Sequence, residues 1–543
     1  MFPTDITSDD KRMQFVRFCI TGCISTALHW GIYCLLLNWC EVNIAYTIGY
    51  VLSFLVNFTI TSYWTFHTPP SLKRFTGFGG SHLANYFIQL VFLNVYIYLG
   101  IPRQWAALMA MGSAVPINFF MVRFVLTKDG IIGKFFLNLW QPVRTFLTKP
   151  FFQKYGTLLV FWLILAVVAG ILKMNKGNNI MIYRYVFFNL VDQLNLYLPY
   201  PEKFGDLNHY GPAFSLVIAP FALLPRALCT ILWNVTLTVL LYVSVRTSRF
   251  SKWEQLFILW FAAHDLLTCL FMQQFNIAVA ALILLSFTLV EREKDFAATF
   301  CIAIGVFVKL LGVVGLVFFF FSKHKGKFIL GLLLWSALLF VLPMLLSSPD
   351  YVISQYGEWY HSLLSKNSTN IGSRLSMNNV SLLGFIRRLF DNASYSDMWI
   401  ILVGLVVETF CFFRISQWKH VAFRKMVLVQ MLLFVILFST GTENSSYVIA
   451  AVGIALWYSS VPWKRNKWDV LLIVVAFIAS LFPTDIFPAS LRHEVLQPYS
   501  LRAVPVIFIW LKLSYEMLRK DYSDTPLANP NIIDKRINTL KTT

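Results

Sequence analysis

Six acidic residues fall in polar breaks between apolar runs: Asp192, Glu202, Asp206, Asp265, Glu443 and Asp485. Three cations stand out beside them: Lys309 within an apolar stretch, Arg374 in a polar one and Arg502 at the mouth of a span. A carboxylate can take the proton of a hydroxyl, and an ammonium or guanidinium group holds an anion through charge-assisted hydrogen bonds. Glu443 raises the sharpest question, because "STGTENSSYVIAAVGIALW" (439–457) places it between two apolar runs, where an ionisable group is costly. It either lines a water-accessible cavity or is an ordinary solvated loop residue. Lys309 interrupts an apolar stretch and needs an anionic partner, a role Glu443 can fill. Arg502 opens an apolar run and either grips an anion or reaches lipid phosphate. Arg374 lies in the polar stretch "SKNSTNIGSRLSMNN" (365–379). His209 and Tyr210 beside Asp206, and Asn276 in "QQFN" (273–276), complete the supporting set with Glu443 and Asp485.

The elements that position these residues are spans. The chain has 543 residues, 57% of them hydrophobic and only 13% charged, with mean hydropathy +0.64. A soluble protein of that composition cannot cover its apolar surface, so an all-α polytopic membrane protein is expected. The polar N-terminus leads into an apolar run without a small-residue cleavage site, which makes the first span its own insertion signal. The eight cysteines lie in or beside hydrophobic segments without a CxxC pair, which argues against a disulfide framework and a zinc site. The net charge of +19 reads as topology and lipid contact; no basic stripe with stacking aromatics points to nucleic acid.

Apolar runs near 15–37, 44–66, 76–99 and 104–126 are long enough to span a bilayer. The basic, aromatic stretch 129–155 follows as an interfacial linker, with Pro142 and Pro150. Further spans fall near 156–173, 227–245, 254–268, 269–290, 328–347, 397–413, 426–441, 446–460, 468–483 and 501–517, with 296–321 a broken pair around Lys309. The connections "RTSRFSK" (246–252), "SKHKGK" (322–327), "RISQWKHVAFRK" (414–425) and "KRNK" (464–467), and the tail from "RKDYSD" (519–524), are basic. The positive-inside rule places them all, and both termini, in the cytoplasm if 296–321 returns to its own side. The loops 174–226 and 348–396, "HDLL" (264–267), Glu443 and 483–500 then share the outer face, with "GPAFSLVIAPFALLP" (211–225) lying in the outer interface. The resulting domains are 1–128, a linker 129–155, 156–520 and a polar tail 521–543.

Within 1–128, "FVRFCITG" (15–22) recurs loosely as "LKRFTGFG" (72–79), and "NFTITSYWTF" (57–66) as "NFFMVRFVL" (118–126). The four spans and these "NF" ends resemble the GtrA-like family, which implies a four-helix bundle that handles polyprenyl-phosphate-linked sugars. Asn57 and Asn118 near span ends serve helix packing or contact lipid phosphate. "LNLYLPYPEKFGDLNHYGPAFSLVIAPFALLP" (194–225), "QQFN", the Lys309 break and "ENSSYVIAAVG" (443–453) resemble glycosyltransferase family 87, of GT-C type, especially its Bacteroidetes-type members. That resemblance implies a polyprenyl-phosphate sugar donor, a glycan or glycolipid acceptor, and a site at the outer leaflet of an inner membrane. Family members often carry an Asp after the first span; "NNIMIYRY" (178–185) offers Asn178 and Asn179, which cannot be bases at neutral pH.

Such a reaction needs a carboxylate to take the acceptor proton and cations to hold the departing phosphate. Asp206 ranks first as base, before Asp192 and Glu202, and Arg502, Arg374 and Lys309 are the phosphate ligands. Neither a nucleotide-binding unit nor a DxD metal clamp is visible or required, so no cofactor and no metal is expected. A transporter without chemistry and a membrane scaffold remain the alternatives; the long outer blocks favour an enzyme, since carriers place polar groups at mid-membrane.

Overall fold

The computed structural model describes residues 8–37, 42–60, 86, 88–89, 92–97, 100–126, 150–372, 378–390, 395–487 and 489–523. Among them the regular structure is helical throughout, without a strand. The chain divides into two compact units, 1–149 and 150–543. Most of the linker, 129–149, the polar tail beyond 523 and Arg374 lie outside the described residues.

In the first unit, helices Ser8–Leu36, Val42–Ile60 and Arg103–Leu126 coincide with expected spans, and helical residues within 86–97 fall in the third. Its core mixes small residues with aromatics: Ala45, Ala106, Ala107 and Ala110 are fully buried beside Tyr33 and Tyr46. Small side chains let helix backbones approach where the hydrophobic effect supplies no drive between them. Some of its buried polar atoms pair across helices, as when the Tyr46 hydroxyl donates to Gln89 Oε1 at 3.0 Å. Asn57 is half-buried, and the Asn118 side chain lies outside the described set.

The second unit is a multi-pass bundle. Among the described residues, Tyr155–Lys173, Arg226–Thr247 and Lys325–Leu345 are long and apolar enough to cross a membrane alone, and the pair Lys252–Phe261 and Ala263–Phe271, bent by 43°, can cross as one. Shorter apolar helices complete it. Exposed side chains such as Val160, Ile164, Leu333, Val403, Phe410 and Val474 present the apolar surface that lipid requires.

The basic connections meet at one end. Lys425 Nζ lies 2.7 Å from Glu254, Arg424 grips Glu291 with two bonds of 2.7 and 2.8 Å, and Lys323 pairs with Glu293 at 2.7 Å. Arg465 reaches Glu516 at 3.1 Å, and Gln417 Nε2 donates to Asp521 at 3.0 Å. This ties 246–254, 291–294, 322–327, 414–425, 464–469 and 516–521 together. The common face required by the basic loops therefore exists.

The expected broken pair is present as well. Helix Asp295–Lys309 ends at Leu310, whose φ is 57°, and the chain returns as the 3₁₀ helix Leu311–Phe321. The two legs touch backbone to backbone: a β-carbon on Gly312 would lie 2.6 Å from Gly305. Lys309 thus sits at the apex, away from the basic end.

Two segments read as loops are largely helical: Asn178–Val191 and Pro349–Gly372. Pro at the start and Asp350 in the first turn suit the second of these. The reversal between the third and fourth spans is at 272–275, where Gln273 has φ 55°, and "HDLL" lies inside the bent pair. Segment 211–225 folds as the short helix Phe214–Ala222 with flanking turns.

Candidate active site

Tyr210 is held before it meets any other site residue. Asn208 Oδ1 accepts from the Tyr210 N–H at 2.9 Å, and Asn208 Nδ2 and the Tyr197 hydroxyl donate to the Tyr210 carbonyl at 3.2 and 3.0 Å. From the helix Pro349–Gly372, Trp359 Nε1 donates to the His209 carbonyl at 3.0 Å and Ser362 Oγ to that of Asn208 at 3.2 Å. Gly211 N–H then donates to the Val308 carbonyl at 3.1 Å, locking the loop onto the Lys309 helix. A β-carbon at Gly211 would lie 2.1 Å from the Phe307 carbonyl oxygen and 2.9 Å from the Trp359 ring. Backbone cannot yield as a flexible side chain does. Gly211→Ala is therefore expected to displace Tyr210 and abolish activity while the basic-end ion pairs persist; assay of the purified variant beside its melting curve checks this.

So placed, Tyr210 faces Lys309. Lys309 Nζ donates to Asn276 Oδ1 at 2.7 Å and to the Tyr210 hydroxyl at 3.4 Å, and it lies 5.2 Å from the Tyr210 ring centre. The Tyr210 hydroxyl lies 2.9 Å from Gln274 Oε1 and 3.0 Å from the Tyr183 hydroxyl. Asn276 Nδ2 donates to Ser445 and Ser446 at 3.3 and 3.2 Å, and Ser445 Oγ donates to Glu443 Oε2 at 3.3 Å. The expected Lys309–Glu443 ion pair does not form. Asn276 and the serines stand between the two charges and link them. Glu443 caps the 3₁₀ turn Asn444–Ser446 and is half-buried, which answers why a carboxylate occurs there: it organises that turn at the site's edge.

Beside this centre Arg502 is buried. It pairs with Asp265, donates to the Asn444 carbonyl and side chain at 2.9 and 3.1 Å, and lies 4.2 Å from the Tyr447 ring centre. It braces helices Ala263–Phe271 and Ala503–Arg519 against the turn. Asp206, Asp192 and Glu202 are exposed, and Asp206 Oδ1 accepts from the Leu207 N–H at 2.8 Å. Asp485 is exposed and pairs with Arg492 at 2.5 Å. His209 Nδ1 lies 2.8 Å from Ser362 Oγ; burial, with the nearby Lys366, pushes its imidazole down to about 4, while Asp206 opposes the shift. His209 is therefore neutral across the physiological range. Asn178 and Asn179 hold backbone: Asn178 Oδ1 accepts from the Gly205 N–H at 2.9 Å, and Asn179 Nδ2 donates to the Met272 carbonyl at 2.7 Å. Residues missed from the sequence are Tyr183 and Gln274; Gln274 lies in the quoted "QQFN", but its type alone carries no sign of a role.

An apolar cavity of about 550 Å³ begins at the next residue along from Lys309. Leu310, Leu311, Val314, Ile401, Phe434 and Phe438 line it, and Asn367, Asp397, Ser439 and Thr440 give it a polar rim. Residues 208–440 match glycosyltransferase family 87, and residues 17–127 match the GtrA/DPMS transmembrane domain. The two matches fall one in each compact unit. The family 87 match takes in Tyr210, Gln274, Asn276 and Lys309, and stops just before Glu443. Together the two domains support a membrane glycosyltransferase with lipid-linked sugar involvement.

Proposed function

We propose that the family 87 domain transfers a sugar from a polyprenyl-phosphate donor to a glycan or glycolipid hydroxyl at the outer leaflet of the inner membrane, both termini being cytoplasmic, and that the GtrA domain delivers the donor. The observation that carries this reading is Lys309, an ammonium group held by the neutral atoms Asn276 Oδ1 and Tyr210 OH, with no carboxylate partner among the described residues. A partly buried cation that touches no carboxylate is stabilised by an arriving anion, and a donor phosphate is one. The apolar cavity starting at Leu310 offers room for the lipid that such a phosphate carries.

In this reaction the acceptor oxygen bonds to the anomeric carbon as the bond from that carbon to the phosphate oxygen breaks. The bonding pair leaves with the polyprenyl phosphate, whose gained charge Lys309 meets. Asp206, on the same short segment as Tyr210, takes the acceptor proton; Asp192 and Glu202 are the other carboxylates of the stretch 192–210. Purified full-length protein given a polyprenyl-phosphate sugar and acceptor should release polyprenyl phosphate and glycosylated product in equal amounts. Asp206→Asn should lower kcat by about two to four powers of ten with little change in donor KM. Full activity in that variant passes the base role to Asp192 or Glu202. Movement of intact donor across vesicles without release of polyprenyl phosphate would mark a carrier instead.

A further inference from the structure

We infer that Gln274 is a positioning residue: it fixes the direction of the tyrosine protons so that Lys309 meets the donor phosphate as a cation with an N–H to give. This inference rests on the phosphate-binding reading of the Lys309 centre. Gln274 Oε1 is an acceptor, and two phenols converge on it, Tyr210 at 2.9 Å and Tyr183 at 3.4 Å. Each phenol has one proton to place. With the Tyr210 proton directed at Gln274, the Tyr210 oxygen turns its lone pairs toward Tyr183, 3.0 Å away, and toward Lys309 at 3.4 Å. The opposite orientation would set the Tyr210 O–H against an ammonium N–H, donor facing donor.

Lys309 carries three N–H groups. One goes to Asn276 and one to Tyr210, which leaves the third for a ligand. Both partners are neutral, and so is the residue behind Tyr210. That neutrality is the point of an amide at position 274. A glutamate there has nearly the same shape and accepts the same phenol protons. It would also put a negative charge one phenol away from Lys309, where it compensates the ammonium and repels phosphate. The neighbouring Gln273 does different work: its carbonyl accepts from Trp233 Nε1 at 3.1 Å and its backbone turns the chain at φ 55°.

The test is binding of polyprenyl phosphate to the purified full-length protein, followed from acid to neutral pH. Gln274→Glu should weaken binding at neutral pH by about tenfold or more. Affinity should return as the pH falls and the new carboxyl group takes up a proton, a rescue that a purely structural role does not give. Gln274→Met removes the acceptor without adding charge, and should lower kcat for transfer at every pH. Unchanged, pH-independent binding by Gln274→Glu overturns the inference. If that variant does not fold, an unaltered kcat in Gln274→Met overturns it equally. Absence of polyprenyl-phosphate binding to the parent protein would instead reject the phosphate reading of the site itself.

Discussion

Lys309→Met lowers kcat/KM for a polyprenyl-phosphate sugar by about two to three powers of ten, the loss expected when a preorganised donor to a developing anion is removed. Methionine keeps the length and apolar stem of lysine and adds no competing charge. What is lost is the ammonium between Asn276 Oδ1 and Tyr210 OH. Asn276 then keeps its bonds to Ser445 and Ser446 while its oxygen loses a partner, at a cost of about 1–3 kcal/mol to the fold. The variant should therefore melt slightly earlier yet remain folded, with a catalytic defect far exceeding the stability defect. Lys309→Arg retains charge but not the point-like geometry, so it should recover part of the activity. Steady-state kinetics with donor varied, beside thermal melting, separates these outcomes. Activity within about threefold of the parent in Lys309→Met would remove Lys309 from the reaction, since a lost donor of this kind costs about a hundredfold or more.

Arg502→Met gives the largest expected loss of stability, about 3–5 kcal/mol, because it strands Asp265 in a buried site. Arg502 and Asp265 are 3% and 4% exposed, so solvent cannot replace the missing partner. The guanidinium also binds Asn444 and covers the Tyr447 ring, and its removal frees the turn that carries Glu443, Ser445 and Ser446. The double variant Asp265→Asn with Arg502→Met should regain much of the loss, because no charge is then left unpaired. Thermal unfolding of the single and double variants in detergent reads this directly. Equal losses in both would show that the cost lies in packing rather than in the stranded carboxylate.

The parts of the site legible in the sequence are those whose residue type conflicts with its surroundings. Lys309 within an apolar stretch announced both the helix break and a need for an anion. The basic connections foretold their own meeting, because each is a local cluster of charge. Long-range pairings left no such trace: Asp265 and Arg502 are 237 residues apart, and neither flanking segment specifies the other. The Lys309–Glu443 pairing expected from charge alone gave way to a neutral amide, since Asn276 enters from the reversal at 272–275, which the sequence placed a few residues too early. Helix Pro349–Gly372 read as a loop because "SKNSTNIG" (365–372) is polar and rich in turn residues. Its middle turns nonetheless supply Trp359 and Ser362, which hold the Asn208–Tyr210 segment. Tyr183 and Gln274 were hidden for a plainer reason. A tyrosine and a glutamine are uncharged, and in a chain with 23 Tyr only the fold shows which hydroxyls converge.

The most direct measurement is the affinity of the purified full-length protein for polyprenyl phosphate, compared with Lys309→Met in the same detergent and at the same salt. The parent should bind the phosphorylated lipid and discriminate against the corresponding polyprenol, and the variant should bind both with the weak affinity of the polyprenol. Equal affinity of parent and variant for polyprenyl phosphate would contradict the assignment of Lys309 as the seat of the donor phosphate.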